Sequence, residues 1–152
     1  MVKFNKDVME INYKVLNLDE QIIETLEKLR LEALRISGIS FNDTYHYKQL
    51  KEQKYLVFGA FYNDKLAGAC YVSPSYNSLY IEQLFVSYEL QRTELHIGTN
   101  LLKYVSTNKD IIQDYFNQKF KYSLLEDGRN TASLYSKMGY EKTENMLMRK
   151  KI

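Results

Sequence analysis

Apolar residues recur along the chain at two spacings, and each spacing predicts a different kind of element. From residue 10 to residue 17 apolar and polar residues alternate, which predicts a strand. Asp19 then fits the N-cap of a helix, because apolar residues follow it at helical spacing as far as Ile36. Gly38 is expected to end this helix.

The rest of the chain predicts three neighbouring strands followed by alternating helices and strands. Turn residues separate the three strands, which should pair as an antiparallel meander. A short helix is predicted over Asp43–Gln53, capped by Asp43 or Thr44, and the three strands over Lys54–Tyr62, Leu66–Ser73 and Leu79–Ser87, with a break over Pro74–Asn77. A helix follows over Ile97–Thr107, and it is left open whether helix continues over Asn108–Lys119. The last predicted elements are a strand over Phe120–Glu126, a helix over Arg129–Met138 ended by Gly139, and a strand or hairpin over Tyr140–Arg149.

Length and charge narrow the class of protein. The 152 residues suit one domain with one core, and no repeat or linker divides them. The formal net charge is +2, from 21 basic and 19 acidic residues. A nucleic-acid partner would need a concentrated basic face, so none is expected.

The cysteine and histidine content argues against a disulfide and against a metal site. Cys70 is the single cysteine, and His46 and His96 share no usable ligand spacing. The N-terminus does not resemble a signal peptide, and no apolar run is long enough to span a bilayer. We therefore expect a cytoplasmic protein with no membrane partner.

Two segments are candidates for chemistry. In the first, the strand over Leu79–Val86 leads through a loop to a helix that starts at His96-Ile97-Gly98-Thr99. Unpaired amides and the positive end of the helix dipole suit a pyrophosphate there, although many such helices bind nothing. In the second, residues 130 to 140 form a short helix stopped by glycine, where Asn130 and Tyr135 can be site residues or merely a surface asparagine and a core tyrosine.

Together and in this order, the two segments resemble the GNAT superfamily of acyl-CoA-dependent N-acyltransferases. The run from Leu134 to Tyr140 is close to the family motif Leu-Tyr-x-x-x-Gly-Phe/Tyr, and the run from Ile81 to Val86 fits its cofactor-binding strand. The resemblance implies one GNAT-like domain over residues 1–152, of α/β (α+β) class. A mostly antiparallel central sheet of six to seven strands would be flanked by about four helices, in the order β-α-α-β-β-β-α-β-α-β(β).

The resemblance also implies acetyl-CoA as cosubstrate and a set of residues that hold it. The strand would offer backbone groups to the pantetheine arm, the loop and helix start would hold the pyrophosphate, and an asparagine would contact coenzyme A. The residues at these positions are Leu84, Phe85 and Val86 of the strand, Gln91, Arg92, His96, Ile97, Gly98 and Thr99 of the loop and helix start, and Asn130.

The loop departs from the family pattern Gln/Arg-x-x-Gly-x-Gly/Ala. His96 replaces the middle glycine counted back from Gly98, while Glu94 takes a glycine position counted forward from Val86. The two counts disagree by two residues, which indicates a two-residue insertion within Tyr88–Leu95. Cofactor binding is then either weakened or achieved by a reshaped loop, in which Arg92 or His96 supplies positive charge.

Two side chains are the catalytic candidates. Glu82 corresponds to the carboxylate that serves as base in related acetyltransferases, and a solvent-facing residue paired with a lysine is the other interpretation. Strand alternation puts Glu82 on the face of Leu84 and Val86, unless a bulge follows it. Tyr135 corresponds to the tyrosine that protonates the leaving thiolate, and core packing is its alternative.

The predicted function is transfer of an acetyl group from acetyl-CoA to a primary amine of a small molecule or peptide, by direct attack in a ternary complex. The acceptor should lie near residues 37–47, where Phe41, Asp43 and Tyr45 suit a cationic amine or simply pack a capped helix. The alternative function is that of a degenerate GNAT domain acting as a non-catalytic binding or regulatory module. The family includes many homodimers, but no stripe in this sequence indicates one, and the acceptor is not encoded in any motif.

Overall fold

A seven-stranded sheet organises the chain in the computed structural model, which describes residues 10–35, 45–126, 132–143 and 147–152. The strand order is β1-β2-β3-β4-β5-β7-β6, and only β4 and β5 pair in parallel. The strands are β1 (Ile11–Val15), β2 (Leu56–Tyr62), β3 (Lys65–Ser75), β4 (Ser78–Val86), β5 (Tyr122–Glu126), β6 (Glu141–Lys142) and β7 (Leu147–Lys151).

Five α-helices fall within the described residues, together with a 3₁₀-helix at Tyr88–Leu90. They are α1 (Glu20–Ala33), α2 (Tyr45–Lys51), α3 (Ile97–Thr107), α4 (Lys109–Phe116) and α5 (Ala132–Lys137). Asp19 caps α1 as predicted, because its carboxylate accepts a hydrogen bond of 2.8 Å from the Ile22 amide. None of these helices combines the length and apolar character that crossing a membrane requires.

Helices cover both faces of the sheet. The α1 face carries α1 and α2, and Leu26, Leu50 and Tyr71 are fully buried there. The α3 face carries α3 and α4, and Leu101 and Ile112 are fully buried there. Alternate residues of each strand therefore enter two separate apolar clusters, which fixes the register of the sheet.

The predicted fold class is confirmed, since the sheet is mixed, mostly antiparallel and flanked by helices. The antiparallel meander of β2, β3 and β4 and the bounds of α3 agree with the sequence pattern. The stretch after α3, for which the sequence left helix undecided, is helical and begins after an interruption at Asn108. The Asn108 side chain donates a hydrogen bond of 2.7 Å to the Tyr104 carbonyl. The proposed caps at positions 43 and 44 lie outside the described residues.

The first helix ends earlier than the sequence predicts. Its last residue is Ala33 rather than a residue before Gly38, and Arg35 has a left-handed φ of 58°. The Leu34 amide donates 3.0 Å to the Arg30 carbonyl and closes the final turn. Leu34, expected on the apolar face of the helix, is instead 45% exposed.

The third strand passes through Pro74, where a break was predicted. Ser75 pairs with Ser78 around a two-residue turn, so the ring nitrogen of Pro74 points away from β4. β2 pairs with β3 only as far as Val72. Among the described residues, then, no strand needs a hydrogen-bond donor from Pro74, which is the condition under which a strand tolerates proline.

The point that positions the candidate site is where β4 and β5 stop pairing. Only Ser78–Tyr80 of β4 pair with β5, whereas β4 continues to Val86 alongside β3. The second half of β4 consequently has one edge that β5 does not cover.

Candidate functional site

A cavity of about 580 Å³ lies beside this uncovered edge of β4. Four parts of the fold line it: the end of α1, the end of β4 with the loop that follows, the first turn and a half of α3, and α5. The lining residues are Ala33, Leu34, Leu84, Phe85, Val86, Leu90, Gln91, Arg92, Thr93, His96, Ile97, Gly98, Thr99, Leu102, Leu134, Tyr135 and Met138.

The edge of β4 presents backbone groups to this cavity. The Ser87 amide donates a hydrogen bond of 2.7 Å to the Ala67 carbonyl of β3. Since alternate residues of a strand direct their backbone groups to the same side, Leu84 and Val86 direct theirs away from β3. The Val86 carbonyl accepts a hydrogen bond of 2.8 Å from the Gln91 side chain. In the described residues the Leu84 N–H and C=O and the Val86 N–H have no partner, as a ligand with amide groups requires.

The start of α3 supplies a second set of donors. His96 precedes the helix with φ 50° and ψ 44°, a left-handed conformation, and its side chain makes no capping hydrogen bond. The first intrahelical bond runs from the Asn100 amide to the His96 carbonyl. The amides of Ile97, Gly98 and Thr99 are therefore left for another acceptor, and the helix dipole favours an anion.

Gly98 keeps the helix start open. A Cβ at this position would meet only the Val86 Cγ2, at an ordinary contact distance of 3.6 Å. Neighbouring atoms would not exclude a larger side chain here. What the absence of a side chain provides is room for a ligand to approach the backbone closely. Uncapped amides beside an open backbone suit a diphosphate.

Gln91 makes hydrogen bonds within the protein. Its Nε2 donates to the Val86 carbonyl and also, at 3.1 Å, to the Ala33 carbonyl at the end of α1. A second contact joins the same parts of the fold, because the Arg35 guanidinium lies 3.5 Å from the centre of the Tyr88 ring. Gln91, predicted to bind the cofactor, lines the cavity, and its carboxamide hydrogen-bonds to two carbonyls of the cavity wall.

Arg92 and His96 are the cationic candidates at the mouth of the cavity. Both side chains are exposed, and both residues have left-handed backbones, with φ 58° and 50°. Glycine adopts this conformation without strain, so His96 occupies a glycine-like position with a side chain attached. His96 lines the cavity together with Ile97, Gly98 and Thr99 of the first turn of α3.

Tyr135 reaches the same cavity from α5. Its ring centre lies 6.1 Å from that of Tyr140, whose hydroxyl is hydrogen-bonded to Ser123 at 2.6 Å. Gly139 ends α5 with φ 96°, and its amide and that of Tyr140 close the last turn. Burial raises the pKa of Tyr140 to about 12. Tyr140 is thus committed to the core, while Tyr135 faces the cavity.

Glu82 lies on the other face of β4 because of a β-bulge. Tyr71 pairs with Gln83 and Val72 with Ile81, which leaves Glu82 as the extra residue. The Ser73 hydroxyl donates to its carboxylate. Ser73 shares the α1 face with Tyr71 by alternation, whereas Leu84 and Val86 pack in the cluster on the α3 face.

Glu82 therefore does not share a face with Leu84 and Val86, and the bulge that the sequence analysis named as the exception to alternation is present. Strict alternation fails at the bulge, where one residue is added to β4 and not to β3. Burial raises the pKa of the Glu82 carboxyl, and the hydrogen bond from Ser73 opposes that rise. The carboxylate is half-buried and does not line the cavity.

A buried polar cluster on the same face of the sheet as Glu82 was not predicted from the sequence. Glu27 of α1 is fully buried and accepts two hydrogen bonds from Arg30, of 3.0 and 3.1 Å, and one of 3.1 Å from the Tyr71 hydroxyl. The His46 Nδ1 and the Tyr55 hydroxyl are 2.7 Å apart. The available signal was a Glu–Arg pair at i and i+3 within the apolar stripe of α1.

The cavity brings together nearly all the predicted cofactor residues. Asn130 lies outside the described residues, as do Phe41 and Asp43 of the proposed acceptor segment. Of the acceptor residues described, Tyr45 is 65% exposed and Tyr47 is buried. Cys70 is fully buried, as a small apolar residue would be. No cluster of three or more potential metal ligands occurs among the residues described.

Comparisons with known proteins found acetyltransferases by sequence and by fold. A family model described as an acetyltransferase (GNAT) domain matches residues 27–152. No curated protein sequence matches the chain. The N-acetyltransferase PaiA of Thermoplasma acidophilum, solved in complex with coenzyme A, is 20% identical with a TM-score of 0.67, over 94% of this chain and 99% of that one.

Two further solved acetyltransferases show the same likeness. One from Staphylococcus aureus, of the GNAT family, is 16% identical with a TM-score of 0.68, covering 93% of this chain and 99% of its own. One from Streptococcus agalactiae is 11% identical with a TM-score of 0.68, covering 93% and 98%. At these identities the likeness establishes a shared fold.

Proposed function

This chain belongs to the GNAT acetyltransferase family, as its motifs predicted, and we propose that it transfers an acetyl group from acetyl-CoA to a primary amine. The acceptor is a small molecule or a peptide, and the amine attacks directly in a ternary complex. One observation carries the proposal: the cavity joins the unpaired backbone groups of β4 to the uncapped amides of α3.

The main chain supplies most of the cofactor site in this proposal. The Leu84 C=O and the Val86 N–H bind the amides of the pantetheine arm, which leaves the Leu84 N–H for the thioester carbonyl. The amides of Ile97, Gly98 and Thr99 bind the pyrophosphate, with Arg92 and His96 adding positive charge at the cavity mouth. Phe85, between the two β4 positions, also lines the cavity. Acetyl-CoA supplies the activated thioester carbonyl.

Gln91 acts as a brace in the same site. By holding the Val86 carbonyl and the Ala33 carbonyl, its carboxamide fixes the end of β4 against the end of α1. The cofactor then binds to a preformed wall. Asn130 stays a predicted coenzyme A contact.

Glu82 is the proposed general base. The attacking amine must lose a proton from its ammonium form, and a half-buried carboxylate with a raised pKa accepts that proton more readily than an exposed one. Its position on the α1 face puts the acceptor on that side of β4. The backbone amide near Leu84 polarises the thioester carbonyl and stabilises the developing oxyanion.

Tyr135 is the proposed general acid. When the carbon–sulfur bond breaks, the leaving thiolate takes the proton of the Tyr135 hydroxyl. The support is its position on the cavity wall and the exclusion of its neighbour Tyr140 from that role by the hydrogen bond to Ser123.

A calorimetric titration with acetyl-CoA, followed by a panel of primary amines assayed for thiol release, tests the function. We expect saturable cofactor binding and thiol release with at least one amine. Failure to bind at millimolar acetyl-CoA would overturn the proposal.

One observation favours a non-catalytic module as the second candidate: a histidine holds the glycine-like position at the start of α3. Its side chain stands where a cofactor-binding member of the family has none. Failure to bind coenzyme A, together with no turnover of any amine, would select this function instead.

A further inference from the structure

Three strands place a row of polar side chains across the α1 face of the sheet. The register of β2 and β3 pairs Leu56 with Val72, so Tyr55 lies beside Ser73 when that register is continued. Ser73 in turn donates a hydrogen bond to Glu82 of β4. The row runs from Tyr55 through Ser73 to the carboxylate that the proposed function uses as its base.

The bulge makes this contact possible. Without the extra residue, alternation would turn the Glu82 side chain toward the α3 face, together with Leu84 and Val86. The bulge re-aims the carboxylate onto the face where Ser73 meets it. Ser73 is 8% exposed, so water has little access to this residue, whereas the Glu82 carboxylate is half-buried.

We propose that Ser73 is the positioning residue of the transfer reaction: its hydroxyl holds the Glu82 carboxylate on the acceptor side of the sheet and determines the pH at which the base works. The inference rests on the proposed base role of Glu82. A hydrogen bond from a buried hydroxyl stabilises the ionised carboxylate, whereas burial destabilises it. The hydrogen bond from Ser73 thereby lowers the pKa of a carboxyl whose pKa burial raises.

Other titratable groups face this part of the sheet, and their arrangement leaves Ser73 as the direct partner. The charge of Glu82 acts on Tyr55, which directly precedes β2, and on Tyr80 of β4. The charge of Glu126 of β5 also acts on Tyr80. From α1 the charges are those of Glu27 and Arg30, which neutralise each other. From α2, the His46 Nδ1 pairs with the Tyr55 hydroxyl. Burial lowers the pKa of His46, which favours its neutral form.

The experiment combines a direct titration with kinetics. Protein labelled with carbon-13 at the glutamate carboxyl is titrated by NMR, and the Glu82 signal is assigned by its loss in Glu82→Gln. In Ser73→Ala the midpoint should rise by roughly one pH unit, since a hydrogen bond to a charged group is worth about that much. With an amine that the protein acetylates, the midpoint of the ascending limb of kcat/KM against pH should shift to higher pH by the same amount.

Ser73→Thr is the matched control, because it keeps the hydroxyl and suits a strand. It should restore both the NMR midpoint and the kinetic limb, whereas a role in packing alone would be disturbed by the added methyl. Equal midpoints in wild type and Ser73→Ala would overturn the inference. A shifted midpoint with an unshifted kinetic limb would instead show that Glu82 is not the base, which is a failure of the proposed function. The NMR arm needs no turnover and so separates the two.

Discussion

The two sides of β4 build their parts of the site by different means. On the proposed cofactor side, the groups available for contact are main-chain groups of β4 and of the start of α3. On the proposed acceptor side, the atoms that matter belong to the side chains of Glu82 and Ser73, and their direction depends on a bulge. Main-chain contacts tolerate many side chains, while side-chain contacts fail with a single substitution. The cofactor side can therefore survive an unusual loop, and the acceptor side carries the chemistry that is easiest to lose.

Glu82→Gln should break the acceptor side most severely. The amide keeps the shape and can still accept from Ser73, but it cannot take a proton, so kcat should fall about 10²–10⁴-fold. Acetyl-CoA affinity should stay at the wild-type value in calorimetry, since Glu82 does not line the cavity. Glu141→Gln, an exposed carboxylate on β6, is the control and should retain full turnover. Full activity in Glu82→Gln would remove Glu82 as the base.

Tyr135→Phe tests a side chain that belongs to the cofactor side but acts in chemistry. Loss of the proton donor should lower kcat by roughly 10²-fold, with little change in cofactor affinity. Tyr140→Phe is its matched control: losing the bond to Ser123 should cost about 1 kcal/mol of unfolding free energy and leave turnover intact. Steady-state kinetics and denaturant unfolding measure both. Equal kinetic losses in the two variants would indicate that Tyr135 merely packs.

Gln91→Ala should loosen the cofactor side. Two hydrogen bonds disappear, which should reduce unfolding free energy by about 1–3 kcal/mol and weaken acetyl-CoA binding roughly tenfold. Gln118→Ala removes a comparable side-chain bond, to the Tyr76 carbonyl at the hairpin between β3 and β4. It should reduce stability without touching cofactor affinity. If Gln91→Ala bound acetyl-CoA as tightly as wild type, the brace role would be wrong.

His96→Gly should produce the smallest effect and a gain. Glycine adopts the left-handed conformation at φ 50° without strain, but it also increases the conformational entropy of the unfolded chain. The net free energy of unfolding should rise by about 0.5–1 kcal/mol. Glu94→Gly, in the same loop without a positive φ, should be destabilising. Thermal unfolding distinguishes the pair. A loss of stability in both would show that the His96 side chain makes contacts that outweigh its backbone strain.

The same contrast explains how far the sequence could predict the molecule. Periodicity and motifs anticipated the strand order of the meander, the bounds of α3 and the residues around the cavity, because main-chain geometry follows from local pattern. The end of α1 at Ala33 was missed because Arg35, a non-glycine residue, takes the left-handed conformation. The bulge at Glu82 has no local signal, since it reflects how β3 and β4 align. The hydrogen bond between Ser73 and Glu82 likewise depends on that alignment.

A crystal structure with coenzyme A tests most directly whether backbone groups along β4 and α3 form the cofactor site. We expect the pantetheine arm beside Leu84 and Val86, with the diphosphate within hydrogen-bond distance of the amides of Ile97, Gly98 and Thr99. Coenzyme A bound elsewhere on the protein, with the His96 imidazole lying across the start of α3, would contradict it.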